Sequence, residues 1–155
     1  MESAVIISKS LVLAGAAGAS LSIALACAAS GAGNPVAQRQ ATMKHVGESM
    51  KEASGFVTGK TAWDPAKVKA VMAGIAADAK TLKGLYPPGS DKDPKSEALP
   101  KIWQDKADFE KHLAAMGEAA TAAGNAADAA AFRPAYMKLG GTCKSCHDVY
   151  RKAQP

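Results

Sequence analysis

An all-α fold, arranged as an antiparallel four-helix bundle, is what this 155-residue chain predicts. Three observations point to it. From Pro35 onward no window of useful length alternates apolar and polar residues at strand period. Apolar residues instead recur at helical spacing in four separate segments. Those segments, each about twenty residues long, are joined by short connections and one longer polar loop, the pattern of an antiparallel bundle. With 48% hydrophobic residues and only 14 glycines, the composition suits one globular domain. No internal repeat and no second domain is visible.

The first thirty residues stand apart from that domain. Lys9 precedes an apolar stretch from Leu11 to Ala29, rich in Ala, Leu, Gly, Ser and Ile and ending in small residues such as Ala24, Ala26 and Ala28. This is the layout of a secretory signal, with cleavage expected after Ala26 or Ala28. A retained membrane helix is the alternative, but the run is weakly hydrophobic for a bilayer span. A third reading makes Cys27 a lipidated N-terminus. The expected organisation is a signal peptide over 1–28, a flexible N-terminus over 29–34 and a helical domain over 35–155. Losing Glu2 and Lys9 together leaves the formal net charge at +5. Such a surface steers acidic protein partners, and no aromatic-rich basic motif points to nucleic acid. Only two cysteines then remain, both in one short motif.

The first helix is expected from about Pro35 to Gly55, with Val36, Met43, Val46, Met50, Ala53 and Val57 on one stripe. The second opens at Asp64-Pro65, where Asp caps free amides and Pro takes the first helical position without losing a bond. Val68, Val71, Met72, Ile75, Ala79, Leu82 and Leu85 form its buried side. From Gly84 to Pro100 the chain turns to Pro87, Pro88, Gly89 and a charged run from Asp91 to Lys95, a loop expected to be too polar to bury. The third helix is expected from about Leu99 to Gly124-Asn125, with Ile102, Phe109, Leu113, Met116, Ala120 and Ala123 inward. The fourth begins around Asp128 and carries Phe132, Tyr136, Leu139, Cys143, Cys146 and Tyr150. Pro134 there implies either a later start or a kink.

Cys143-Lys144-Ser145-Cys146-His147 is the C-x-x-C-H pattern of c-type haem attachment. At about 100° per residue, Cys146 and His147 fall about 60° and 40° either side of Cys143, so all three project from one helical face. Two thioethers then hold the ring edge while the imidazole reaches the iron. A thioredoxin-like redox pair would want an α/β setting. A zinc site would want a second ligand pair, and the remaining histidines, His45 and His112, sit on separate helices as exposed or packed residues.

The run Leu139-Gly-Gly-Thr-Cys-Lys-Ser-Cys-His-Asp-Val-Tyr-Arg151, with Arg39-Gln-Ala-Thr-Met-Lys44 in the first helix and Pro100-Lys-Ile-Trp103 opening the third, resembles the class II c-type cytochromes over residues 35 to 153. That family includes cytochrome c′ and the cytochrome c556 group. The resemblance implies one covalent haem c inside the bundle, bound to the C-terminal helix through Cys143, Cys146 and proximal His147. It implies Arg39 and Gln40 near a propionate, Arg151 on the proximal side and Met43 facing the distal iron position. Low-spin c556-like members bond the Met and carry electrons, with periplasmic redox proteins as partners; high-spin c′-like members leave the site open and bind NO or CO. Met43 to Met50 looks closer to the c556 group, although packing alone would also place a Met there. Arg39 has the alternative reading of a solvated charge, and Arg151 that of a helix-dipole partner. Trp103 and Phe109 read as core or pocket walls. The resemblance is compatible with a homodimer, and no catalytic base is required for electron transfer.

Overall fold

The computed structural model describes residues 33–153. The expected signal peptide, with Cys27 inside it, lies outside the described residues. Four long helices run α1 (Pro35–Thr58), α2 (Pro65–Lys83), α4 (Lys106–Gly124) and α5 (Ala129–Tyr150), with a single turn, α3 (Lys101–Gln104), before the third of them. Each long helix packs on its neighbours in the chain, most closely α2 on α4, and α5 closes the ring against α1 through the lightest of these contacts. The described residues form no strand, only an isolated antiparallel bridge between Ala98 and Arg151.

Local chemistry explains the ends. Asn34 caps α1 by accepting from the amides of Val36 and Ala37, and its amide nitrogen donates to Asp93. Asn34 thus joins the start of α1 to the 84–100 segment. α1 also runs past Gly55. Gly59, at φ 73°, takes the left-handed position, and the Thr61 amide donates back to the Gly55 carbonyl. Phe56, expected to lie past the end of the helix, is instead a buried helical residue. Asp64 and Asp128 cap α2 and α5 with their carboxylates, as their positions before the apolar runs imply. α5 neither starts late nor breaks at Pro134, which sits exposed in its second turn.

The expected third helix is two. Asp105 adopts φ −134°, ψ 63°, ends α3, and caps α4 by accepting from the Asp108 amide. A second correction concerns the 84–100 segment, which is not wholly a solvated loop. Tyr86, Ser90, Ser96 and Ala98 are all buried. The segment is tied down by Leu99 N–H to the Tyr150 carbonyl and Lys152 N–H to the Glu97 carbonyl. Phe132, Met72, Ile75, Leu82 and Leu139 form the fully enclosed centre. Two aromatic clusters join this core: Phe56, Trp63, Phe132 and Tyr136 in one, and Trp103, Tyr86, Phe109 and Tyr150 in the other.

Candidate haem site

A cavity of about 610 Å³ opens among α1, α4 and α5. This is within the range that holds a cofactor-sized ligand. α5 contributes Cys143, Cys146 and His147 to its lining, and α1 contributes Met43, Gly47 and Met50. The three α5 residues share a face because the helix is regular through them, so a single element presents two thiols and an imidazole in fixed relation.

The electrostatics of that set suit covalent attachment and axial ligation. Burial raises the Cys143 thiol's pKa and pushes that of Cys146 up to about 11, with the neighbouring Cys143 adding to the effect. Before attachment both thiols are neutral at ordinary pH. Burial, then the Arg151 charge, lowers the pKa of His147, so its imidazole is neutral with a lone pair to give. Among the described residues no group of three or more His, Cys, Asp or Glu side chains is placed to hold a bare metal ion.

The remaining lining also fits a flat ring. A Cβ built on Gly47 of α1 or Gly140 of α5 would meet no other atom, so space rather than protein lies beside both. Met43 and Met50 are half-buried and line the cavity from α1, and Met116 and Leu113 line it from α4. Phe109 is a wall. Trp103 stands behind it, edge-on to Tyr86 and donating its indole N–H to the Pro87 carbonyl.

Arg39 lines the cavity but is not a solvated charge, being only 4% exposed. Its two terminal nitrogens donate to the Leu85 carbonyl, the Ser90 hydroxyl, the Ser90 carbonyl and the Ser96 hydroxyl. The guanidinium also lies 5.0 Å from the Tyr86 ring centre and 5.8 Å from that of Trp103. Gln40 donates to the Lys95 carbonyl at 2.8 Å. Both residues therefore hold the 84–100 segment against α1 at the cavity's edge. Arg151 is exposed and lines the cavity, with its amide on the His147 carbonyl.

His45 lies outside the cavity, paired with Asp78 of α2 at 2.5 Å. His112, in contrast, lines it. His112 Nε2 stands 3.5 Å from Asp108, whose carboxylate accepts from the Tyr150 hydroxyl at 2.7 Å. Tyr86, His112 and Tyr150 are lining residues whose role in the cavity sequence reasoning missed. Only the α4 spacing from Phe109 to Met116, which brackets His112, and the α5 stripe carrying Tyr150 hinted at them.

Comparison with known proteins agrees with this geometry. The family model described as cytochrome C' matches residues 34–151. A cytochrome c′ of Rhodopseudomonas palustris is 41% identical over 117 residues, covering 75% of this chain and 80% of that protein. A cytochrome c-556 of Agrobacterium tumefaciens is 35% identical over 118 residues, covering 75% of this chain and 95% of that protein. The solved R. palustris cytochrome c′ superposes with a TM-score of 0.74 at 38% identity, covering 79% of this chain and 99% of that one. A four-helix bundle with this cavity and these matches belongs to the cytochrome c′ family, whose members carry one covalent haem c.

Proposed function

We propose that this chain is an exported, periplasmic one-electron carrier in which Cys143 and Cys146 hold the haem and His147 and Met43 are the two axial ligands of its iron. The observation that carries the proposal is that Met43, from α1, lines the same cavity as His147, from α5. When bound, the haem supplies an iron that cycles between Fe(II) and Fe(III), and a thioether opposite an imidazole raises its reduction potential. The protein's part is to exclude water with Phe109, Leu113 and Met116, to keep His147 neutral, and to hold α1 at a fixed distance from α5. Export follows from the signal-like N-terminus, and N-terminal sequencing of periplasmic protein tests it. Among the described residues no helix is long and apolar enough to cross a membrane.

A second reading, a five-coordinate gas-binding protein, is favoured by the R. palustris relative at 41% identity being a cytochrome c′. A solved mutant of the Alcaligenes xylosoxidans cytochrome c′, 28% identical to this chain, is a nitric oxide complex, and another solved cytochrome c′, also 28% identical, shows ligand-controlled dimer dissociation. Optical spectra of the reduced holoprotein with and without CO separate the two. A sharp low-spin α band that CO leaves unchanged is the expected result, and Met43→Ala converts it to a broad high-spin spectrum that CO shifts. A CO-sensitive spectrum in the unmodified protein overturns Met43 ligation and establishes the gas-binding alternative.

A further inference from the structure

The chain has three histidines, and each stands differently toward the cavity. His147 lines it as the proposed axial ligand, and His45 pairs with Asp78 outside it. His112 lines the cavity from α4, yet neither attachment nor axial ligation uses it. Its side chain is 24% exposed, so one imidazole faces both the haem space and solvent.

The surroundings of His112 suit a positive charge that comes and goes. Its Nε2 is 3.5 Å from the carboxylate of Asp108, one turn earlier on α4, and its ring stands edge-on to Tyr150 of α5 with 5.5 Å between centres. The hydroxyl of Tyr150, a residue only 2% exposed, donates to that same carboxylate at 2.7 Å. This hydrogen bond holds the Asp108 carboxyl below the usual carboxylate range, helped by the charges of His112, Lys111 and Lys101. Asp108 therefore stays an anion while the imidazole beside it changes charge. Asp105, between α3 and α4, acts on Tyr150, and Glu97, Asp148 and Arg151 act on His147 from the 84–100 segment and from α5. From α2, Lys83 is taken up by Glu110 of α4 at 2.9 Å. Carboxylates, ammonium groups and guanidinium ordinarily change charge outside the range of about pH 5 to 8, and imidazole changes inside it.

We propose that His112 is a redox-linked proton site: reduction of the haem draws a solvent proton onto its imidazole and reoxidation releases it, so that this protein carries a proton with its electron near neutral pH. This rests on the carrier function proposed above. One electron enters from the redox partner and reduces Fe(III) to Fe(II); one proton enters from solvent and binds the imidazole nitrogen; both leave on reoxidation. An added electron makes the cavity one unit more negative, and a cation on its wall is then better held. A unit charge about 10 Å away, across a medium of effective dielectric constant about 20, changes a proton affinity about tenfold. His112 therefore binds its proton more tightly in the reduced protein. The haem potential falls as pH rises between the two His112 midpoints and is level on either side, and a tenfold affinity ratio makes that step about 59 mV for one electron.

The test is a histidine-selective NMR titration of the holoprotein in both redox states, with the reduction potential followed over the same pH range. The His112 midpoint should rise by about one pH unit on reduction. His45, whose pair with Asp78 has the same chemistry outside the cavity, is the internal control and should shift by less than about a fifth of that. His112→Gln keeps a polar side chain that does not titrate and should abolish the step in the potential, whereas His45→Gln should leave it in place. Asp108→Asn should keep the step and move both its midpoints to lower pH, because the imidazolium loses its carboxylate. The titration of the unmodified protein decides the question alone should His112→Gln fail to mature. Equal His112 midpoints in the two redox states, or a step that persists undiminished in His112→Gln, overturns the proposal. Failure of the carrier function itself shows separately, as CO binding by the unmodified protein.

Discussion

Replacing Arg39 by methionine should cost this protein about 3 kcal/mol, and the loss should be concentrated in the 84–100 segment. The guanidinium makes four hydrogen bonds into that segment and stands against two aromatic rings. A hydrogen bond to a charged group is worth about 1.5–3 kcal/mol, and stranding a buried acceptor costs about 1–3 kcal/mol. Simple addition of four such bonds overshoots, because removing the cation also recovers its desolvation, and the segment can open to water to satisfy its own carbonyls. About 3 kcal/mol is what remains, a substantial part of the 5–15 kcal/mol typical of a domain. Because the partners are all on one segment, the readout is amide exchange. Ser90, Lys92 and Ser96, whose N–H groups bond within the segment, should lose protection by about a hundredfold. Arg39→Lys keeps the charge but cannot fork between Ser90 and Ser96, and should fall between the two. Urea unfolding of the holoprotein gives the global figure. A midpoint unmoved in Arg39→Met, with those three amides as protected as before, would refute the clamp.

Three further outcomes follow from local geometry. The hydrogen bond to Asp78 and its charge raise the His45 pKa above 6.5, so the pair stabilises the fold fully below the unfolded value and loses that contribution as pH rises through the raised one. NMR titration of the imidazole should show the raised midpoint, and Asp78→Asn should return it toward 6.5. Gly141→Ala, at an exposed helical position where a Cβ meets nothing, should stabilise by about 1 kcal/mol. Gly124→Ala should instead lower Tm, because its Cβ would sit 3.1 Å from that of fully buried Met72; thermal unfolding of both variants checks the opposite signs.

Much of this architecture was legible because its causes are local. Spacing of Val68, Met72, Ile75, Ala79 and Leu82 marks one face of α2 whatever packs against it, and Asp64-Pro65 states where the helix starts. Cys143, Cys146 and His147 were legible for the same reason, since five consecutive residues on a regular helix need no tertiary information to be brought together. What could not be read is long-range. Ser90 and Ser96 look like solvated loop residues until Arg39, more than fifty positions away, supplies their partner. Gly55 and Gly59 carry the same local signal for ending α1, and only the left-handed backbone at Gly59 and the return of Thr61 distinguish them. The break at Asp105 has no glycine or proline to announce it. Met43 entered the site through a family resemblance, because nothing in helical periodicity separates a ligand from a packed methionine.

The clamp and the distal residue are one problem. Met43 lies one helical turn beyond Arg39 on α1, and α1 touches α5 only lightly, so packing between those two helices does little to set how far Met43 stands from the residue opposite it. Tyr136 and Arg133 of α5 tie the later turns of α1 through the Met50 and Val57 carbonyls, and its first turns are held from outside. Arg39 and Gln40 hold α1 to the 84–100 segment, and that segment is held in turn to the chain leaving α5 by Leu99 on Tyr150 and Lys152 on Glu97. The loop is thus a strut from the first turns of α1 to the residues just past His147. A thioether bonds iron only within a narrow range of distance, so loosening the strut should weaken axial ligation before it unfolds the bundle. In a cytochrome of this kind, the choice between carrying an electron and leaving room for a gas then depends on the loop as well as on which residue occupies position 43.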